Sequence, residues 1–226
     1  MGMLIDGQAG PQKISDGSRN TVRLGNFSEV ITQDAHGRFY EQTLRGNEYS
    51  IGMTTLAALT ANTATLTATT TPIVGVWNPL NSPVNLVILQ AMLAAGINAA
   101  AATGPGIFAW ASSIGNGVIT AGSAPFNRKT LQNSGSQAKG FQLSGAVALT
   151  GLTNNLVIFE PGDFQDPTVI TTAAVPTSVQ TPVVQGVQNF DGSLIVPPGG
   201  VLALVNTVST TTISVFGRLL WEEVPF

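Results

Sequence analysis

The sequence predicts an all-β protein, a jelly-roll-like β-sandwich carrying an extended N-terminal arm. Three observations predict it. From residue 51 onward, about ten short apolar or Thr-rich runs alternate with Gly, Pro, Asn and Ser turn signals, the spacing of an all-β sandwich rather than of alternating β/α units. The last of these runs alternates with a period of two. Charge divides the chain unevenly: residues 1–50 hold five basic and six acidic residues, 11 of the 21 charges. The expected division is therefore an arm over residues 1–50 and a sandwich over residues 51–226.

In the first fifty residues Lys13, Arg19, Arg23, Arg38 and Arg45 interleave with Asp6, Asp16, Glu29, Asp34, Glu41 and Glu48. Gly2, Gly7, Gly10-Pro11, Asp16-Gly17 and Gly25 break any long helix, leaving room for a short one over residues 27–34. Such a segment is either simply solvated or an arm lying on neighbouring subunits, where alternating signs set register. Residues 54–71 are almost entirely Thr, Ala and Leu. The β-branched carbon of Thr favours one long strand or two linked ones, with a helix around residues 55–59 as the alternative.

Ile73-Val74-Gly75-Val76-Trp77 is the next expected strand, ended by the turn Asn78-Pro79-Leu80-Asn81-Ser82-Pro83. Residues 84–93 read as a strand buried on both faces and followed by an Ala-rich turn. Residues 84–102 are long enough to cross a bilayer, but Asn85, Gln90, Gly96 and Asn98 and the lack of flanking Lys or Arg favour the strand. Ile107-Phe108-Ala109-Trp110, Val147-Ala148-Leu149 and Leu156-Val157-Ile158-Phe159 follow, the last ended by Glu160-Pro161-Gly162-Asp163. Pro161, Pro167, Pro176 and Pro182 make residues 169–188 an edge or extended loop, closed by Phe190-Asp191-Gly192. Leu194-Ile195-Val196 runs into the turn Pro197-Pro198-Gly199-Gly200, and residues 201–208 and 212–223 then read as a hairpin. In its second strand Ile213, Val215, Gly217, Leu219 and Trp221 form the face richer in core residues.

Composition narrows function. Charged residues make up 9% of the 226, against roughly 25% in an ordinary domain, while the hydrophobic fraction is an ordinary 43%. Such a chain folds, yet has little charge to keep its surface apart from others, so much of that surface is expected to be covered by partners. A net charge of -3 without a basic run argues against nucleic acid. The N-terminus lacks the features of a secretory signal, so synthesis and folding in a cytoplasm are expected. The absence of cysteine excludes disulfides, thiolate zinc sites and cysteine nucleophiles.

Catalytic chemistry is sparse. His36 is the sole histidine, sits in the arm, and cannot build a histidine metal cluster. Asp163 and Asp166 lack the dense spacing of a calcium loop, and Glu222 and Glu223 point to opposite faces of a regular strand. Gly104-Pro105-Gly106 and Gly115-Asn116-Gly117 have no following helix or Lys and read as turns. Trp77, Trp110, Phe108 and Phe126 can be core or a sugar platform, and their place in or beside strands favours core. The expectation is a non-enzymatic protein without cofactor or metal.

Three groups of residues resemble a known family: His36-Gly37-Arg38-Phe39-Tyr40-Glu41 with Arg45-Gly46-Asn47; Ile195-Val196-Pro197-Pro198-Gly199-Gly200 running to Trp221-Glu222-Glu223-Val224-Pro225; and Trp77-Asn78-Pro79-Leu80 with Val84-Asn85-Leu86-Val87-Ile88-Leu89. They are similar to virion proteins of tailed phages, chiefly short-tailed ones, that cement or decorate the head as trimers with jelly-roll cores. The resemblance implies a structural protein on the outer surface of the capsid, bound to the major capsid protein and to itself as a homotrimer, away from membranes and nucleic acid. It further implies capsid contacts through Arg19, Arg23, Arg38 and Arg45, with Phe39 and Tyr40. The alternative is a head-fibre or tail-associated module that binds host glycans, since jelly rolls are also lectin scaffolds.

Overall fold

The structure, a computed structural model, describes residues 39–59, 65–66, 71–97, 107–120, 122–133, 135–144, 149–162, 164 and 181–225. The chain divides into a unit of residues 1–41 and a unit of residues 42–226 that holds the sandwich. A short helix, α1 (Tyr40–Arg45), ends at Gly46, whose φ of 82° lets its N–H turn back to the carbonyls of Gln42 and Thr43 at 3.1 and 3.0 Å. The chain then enters β1 (Glu48–Gly52). The expected boundary at residue 50 is therefore too late, because residues 42–50 belong to the sandwich unit. Charge density misled here: Tyr49 and Ile51 of β1 point into the core while Glu48 is buried on the opposite face.

Two antiparallel sheets form the sandwich. The first contains β1, β2 (Ala57–Leu59), β5 (Val84–Ile97), β7 (Phe126–Asn127), β10 (Thr181–Val196) and β12 (Thr210–Pro225). Its order is β10-β5-β12-β1-β7, with β2 also paired to β12. The second contains β3 (Thr65–Leu66), β4 (Val74–Trp77), β6 (Phe108–Ser113), β8 (Lys139–Gln142), β9 (Leu156–Pro161) and β11 (Val201–Asn206), in the order β3-β9-β6-β11-β4-β8. From β4 to β8 and again from β9 to β12, successive strands alternate between the sheets. Jelly rolls share that alternation, but it does not establish jelly-roll winding; the architecture is an all-β sandwich.

The main core lies between the sheets and contains Trp110, Trp221, Leu86, Ile88, Leu93, Leu202 and Leu204. A second apolar layer covers the other face of the second sheet, where Ile119 and Leu149 pack with Trp77, Ala109, Phe141, Leu156 and Val205 of its strands. β4 and β11 are consequently buried on both faces, which is why they read as unbroken apolar runs. β5 is not, contrary to expectation. Its inward residues Leu86, Ile88, Ala91, Leu93 and Ala95 are buried, while Asn85, Val87, Gln90, Met92 and Ala94 are half-exposed. No Ala-rich turn breaks it before Ile97, and among the described residues no helix is long and apolar enough to cross a membrane.

Other elements also depart from expectation. β11 and β12 do not form a hairpin: β11 pairs with β4 and β6, whereas β12 pairs with β5, β1 and β2, so the short connection at residues 207–209 carries the chain from one sheet to the other. Phe190-Asp191-Gly192 is no chain reversal but an irregularity within β10, where the register slips between Asn189 and Leu194 and both Asp191 (φ 53°) and Gly192 (φ 86°) are left-handed. Residues 57–59 and 65–66 form short strands in different sheets, so the helical alternative at 55–59 does not hold. The proposed helix at 27–34, His36, Val147-Ala148, Asp163 and Asp166 lie outside the described residues.

Candidate functional site

Of the residues expected to contact a capsid, Arg19, Arg23 and Arg38 lie outside the described residues. Phe39 is half-buried, and Tyr40 and Arg45 of α1 are exposed. Leu44, one helical turn from Tyr40, is exposed as well.

Behind α1, strand pairing gathers a charged cluster that local reading of the sequence could not reveal. β1 and β12 set Glu48 directly opposite Glu222. Glu48 is 2% exposed, accepts a hydrogen bond from Thr43 Oγ1 and forms an ion pair with Arg128 Nε at 3.6 Å. Burial, and then the neighbouring Glu48, push the Glu222 carboxyl above its ordinary range. Burial, and then Arg128, lower the Arg218 guanidinium, with Glu48 acting against both. Arg218 Nη2 donates to Gln90 Oε1 at 3.0 Å, and Gln90 Nε2 donates to Asn189 Oδ1 at 2.9 Å, so a polar chain crosses β12, β5 and β10. Glu223 faces the other way, as expected for consecutive strand residues, and accepts from Ser136 Oγ at 2.5 Å.

This cluster predicts a pH response. Glu222 holds its proton more tightly in the folded chain than in the unfolded one, so its ionisation opposes folding. Stability from this group is fully present below the ordinary value of 4.5 and is lost as pH rises through the raised folded value. Glu222→Gln should raise stability at neutral pH by under about 1 kcal/mol, given solvent screening, and flatten the slope between 4.5 and the raised folded value. Urea titrations at a series of pH values measure this; an unchanged slope would remove the cluster's role.

A second constellation braces the end of the sandwich where β4 passes to β5 and β10 to β11. Asn78, 0% exposed, donates through Nδ2 to the carbonyls of Val84 and Val196 at 2.8 and 3.1 Å. Its backbone N–H donates to Gly200 O at 3.0 Å, and its carbonyl accepts from Gly199 N at 2.8 Å. Gly199 stands at φ 77°, and its carbonyl accepts from the N–H of Asn116. Asn116 Oδ1 accepts from the N–H groups of Thr153 and Asn154, both at 2.9 Å. Asn-Pro at 78–79 signals the turn in sequence, but the bond from Asn78 to Val196 is not local.

Among the described residues, two grooves are defined. One, about 320 Å³, lies on the outer face of the first sheet between Met92, Ala94, Val187, Phe216 and Arg218. The other, about 250 Å³, lies between the sheets near Ser112, Ile114, Ile195 and Leu202. Neither is lined by an acid. Trp77, Trp110 and Phe108 are buried, and Phe126 is half-buried, so three of the four aromatics considered for a sugar platform are core. Among the described residues no three His, Asp or Glu side chains come together as a metal site. No protein-family model, no curated protein and no solved structure matches this chain.

Proposed function

We propose that the chain is a structural subunit of a tailed-phage virion, a cement or decoration protein that binds the major capsid protein on the outside of the head and acts by contact rather than by catalysis. The observation that supports this most is the pairing of a charge-free framework with an apolar surface. Strands β2 to β7 all fall in residues 51–127, which contain no ionisable side chain, and Ile107, Ile114, Val118, Val157, Phe159, Val187 and Phe216 stand exposed. Surfaces of this kind suit burial against neighbouring subunits, where a stranded charge would cost several kcal/mol. A protein that binds only the assembled shell stabilises it by mass action. Trimeric assembly and capsid contact through Arg19, Arg23, Arg38, Phe39, Tyr40 and Arg45 are what the resemblance adds to this proposal.

Copy number separates this function from the glycan-binding one. Densitometry of the protein against the major capsid band in purified particles should give hundreds of copies, the stoichiometry of a lattice-covering subunit. Tens or fewer would favour the adhesin.

A further inference from the structure

We propose that the groove on the outer face of the first sheet binds a small carboxylate with an apolar tail, the charged end held by Arg218 and the tail by the surface of the sheet. Arg218, Met92 and Val187 stand opposite one another on β12, β5 and β10, and Phe216 opposes Ala94 two residues along the same face. Phe216 and Val187 are 42 and 45% exposed, while Ala94 offers only a methyl group. A hollow of about 320 Å³ remains between the taller side chains. Ligand sites span about 300–1,000 Å³ and combine apolar walls with a few polar groups that fix orientation, so this hollow is a small member of that class. Crossing three strands, it is about 10 Å wide, which suits an alkyl chain of about eight carbons.

The state of Arg218 selects an anion. Its Nη2 donates to Gln90 Oε1 at 3.0 Å, which fixes the guanidinium, but Nε is buried without an acceptor among the described residues. No acid lines the groove among those residues. Glu48, the acid that acts on Arg218, is already engaged by Arg128 Nε at 3.6 Å and by Thr43. Burial and the like charge of Arg128 both work against the charged guanidinium. A carboxylate entering the groove supplies the missing counter-charge, and its charge-assisted hydrogen bonds to a planar guanidinium are stronger than neutral ones. The tail covers Val187 and Phe216, with the unbranched Met92 side chain able to adapt to it. A neutral ligand forgoes the first gain, and an anion without a tail forgoes the second. Binding of this kind belongs to the free chain and is independent of capsid binding.

Octanoate is the probe. Titrated into the full chain in a calorimeter, it should bind with a Kd below about 1 mM, and octan-1-ol, the same tail without the charge, at least about tenfold more weakly. Acetate, the charge without the tail, should also bind at least about tenfold more weakly. Arg218→Gln should lose at least about tenfold in octanoate affinity while its octan-1-ol affinity stays the same, a split that a misfolded variant would not produce. With the methionine methyl groups isotopically labelled, octanoate should move the NMR signal of Met92, whereas that of Met53, 3% exposed in the main core, should stay in place. Ala94→Leu, which fills the hollow, should abolish binding of both probes. No octanoate binding by the unaltered chain, equal affinities for octanoate and octan-1-ol, unchanged octanoate affinity in Arg218→Gln, or a Met92 signal that does not move would each overturn the proposal, whatever the outcome of capsid binding.

Discussion

Replacing Trp221 by alanine is expected to lower the unfolding free energy by about 3–5 kcal/mol, as large as any single side-chain truncation in this chain. Trp221 is 0% exposed on β12, a strand flanked by β5 and β1, and its ring stacks on Tyr49 at 6.5 Å with an interplanar angle of 27°. Removal leaves a cavity between two sheets whose hydrogen-bonded ladders resist collapse. Trp221→Phe should cost much less, about 1–2 kcal/mol, because Nε1 of Trp221 has no hydrogen-bond partner among the described residues and nothing polar is orphaned by its loss. Trp110→Phe provides the contrast, since it strips Gln188 Oε1 of a donor at 2.8 Å. Urea unfolding of the three variants tests this. Equal losses for Trp221→Phe and Trp221→Ala would mean that the ring's burial is not what stabilises the site.

The second large effect is expected at Asn78. Asn78→Ala leaves the carbonyls of Val84 and Val196 without that donor inside the protein, a loss of about 2–4 kcal/mol. Asn78→Asp should be worse at neutral pH, because it turns a fully buried donor into a carboxylate facing two carbonyl oxygens. It should partly recover in acid as the carboxyl takes up a proton. Thermal unfolding at neutral and acidic pH separates the two variants. An aspartate variant as stable as the alanine one at neutral pH would show that the corner admits water and that the Asn78 bonds contribute little.

Sequence alone disclosed those parts of the fold whose cause is local. The alternation in β12 was legible because one face meets the main core, where Ile213, Val215, Leu219 and Trp221 are buried. The break between β4 and β5 was legible because Asn-Pro and Ser-Pro punctuate it. The hairpin expected from β11 and β12 failed because a short polar connection serves equally for a reversal within one sheet and for a corner between two. Phe190-Asp191-Gly192 marked an end to the stretch before it, but a bulge and a turn use the same residues. The double-sided burial of β4 and β11 depends on Ile119 and Leu149, far away along the chain.

The candidate site was less legible still. Glu48 was assigned to a solvated or capsid-binding arm, yet it lies opposite Glu222 of the last strand, 174 positions further along the chain. Register between distant strands has no local signature, so neither this acid pair nor its contacts with Arg128 and Thr43 could be read beforehand. The same limit applies to Asn78, whose bond to Val196 joins residues 118 positions apart.

The central claim, that the chain is a shell-binding subunit, is tested most directly by adding purified protein to expanded phage heads that lack it and measuring bound protein against the major capsid protein. The account predicts saturation at a fixed ratio to the lattice, a higher disruption temperature for the decorated shells, and loss of both on deletion of residues 1–38, which spares α1 and β1. Intact shells that bind none of the full-length chain at saturating concentration would contradict it.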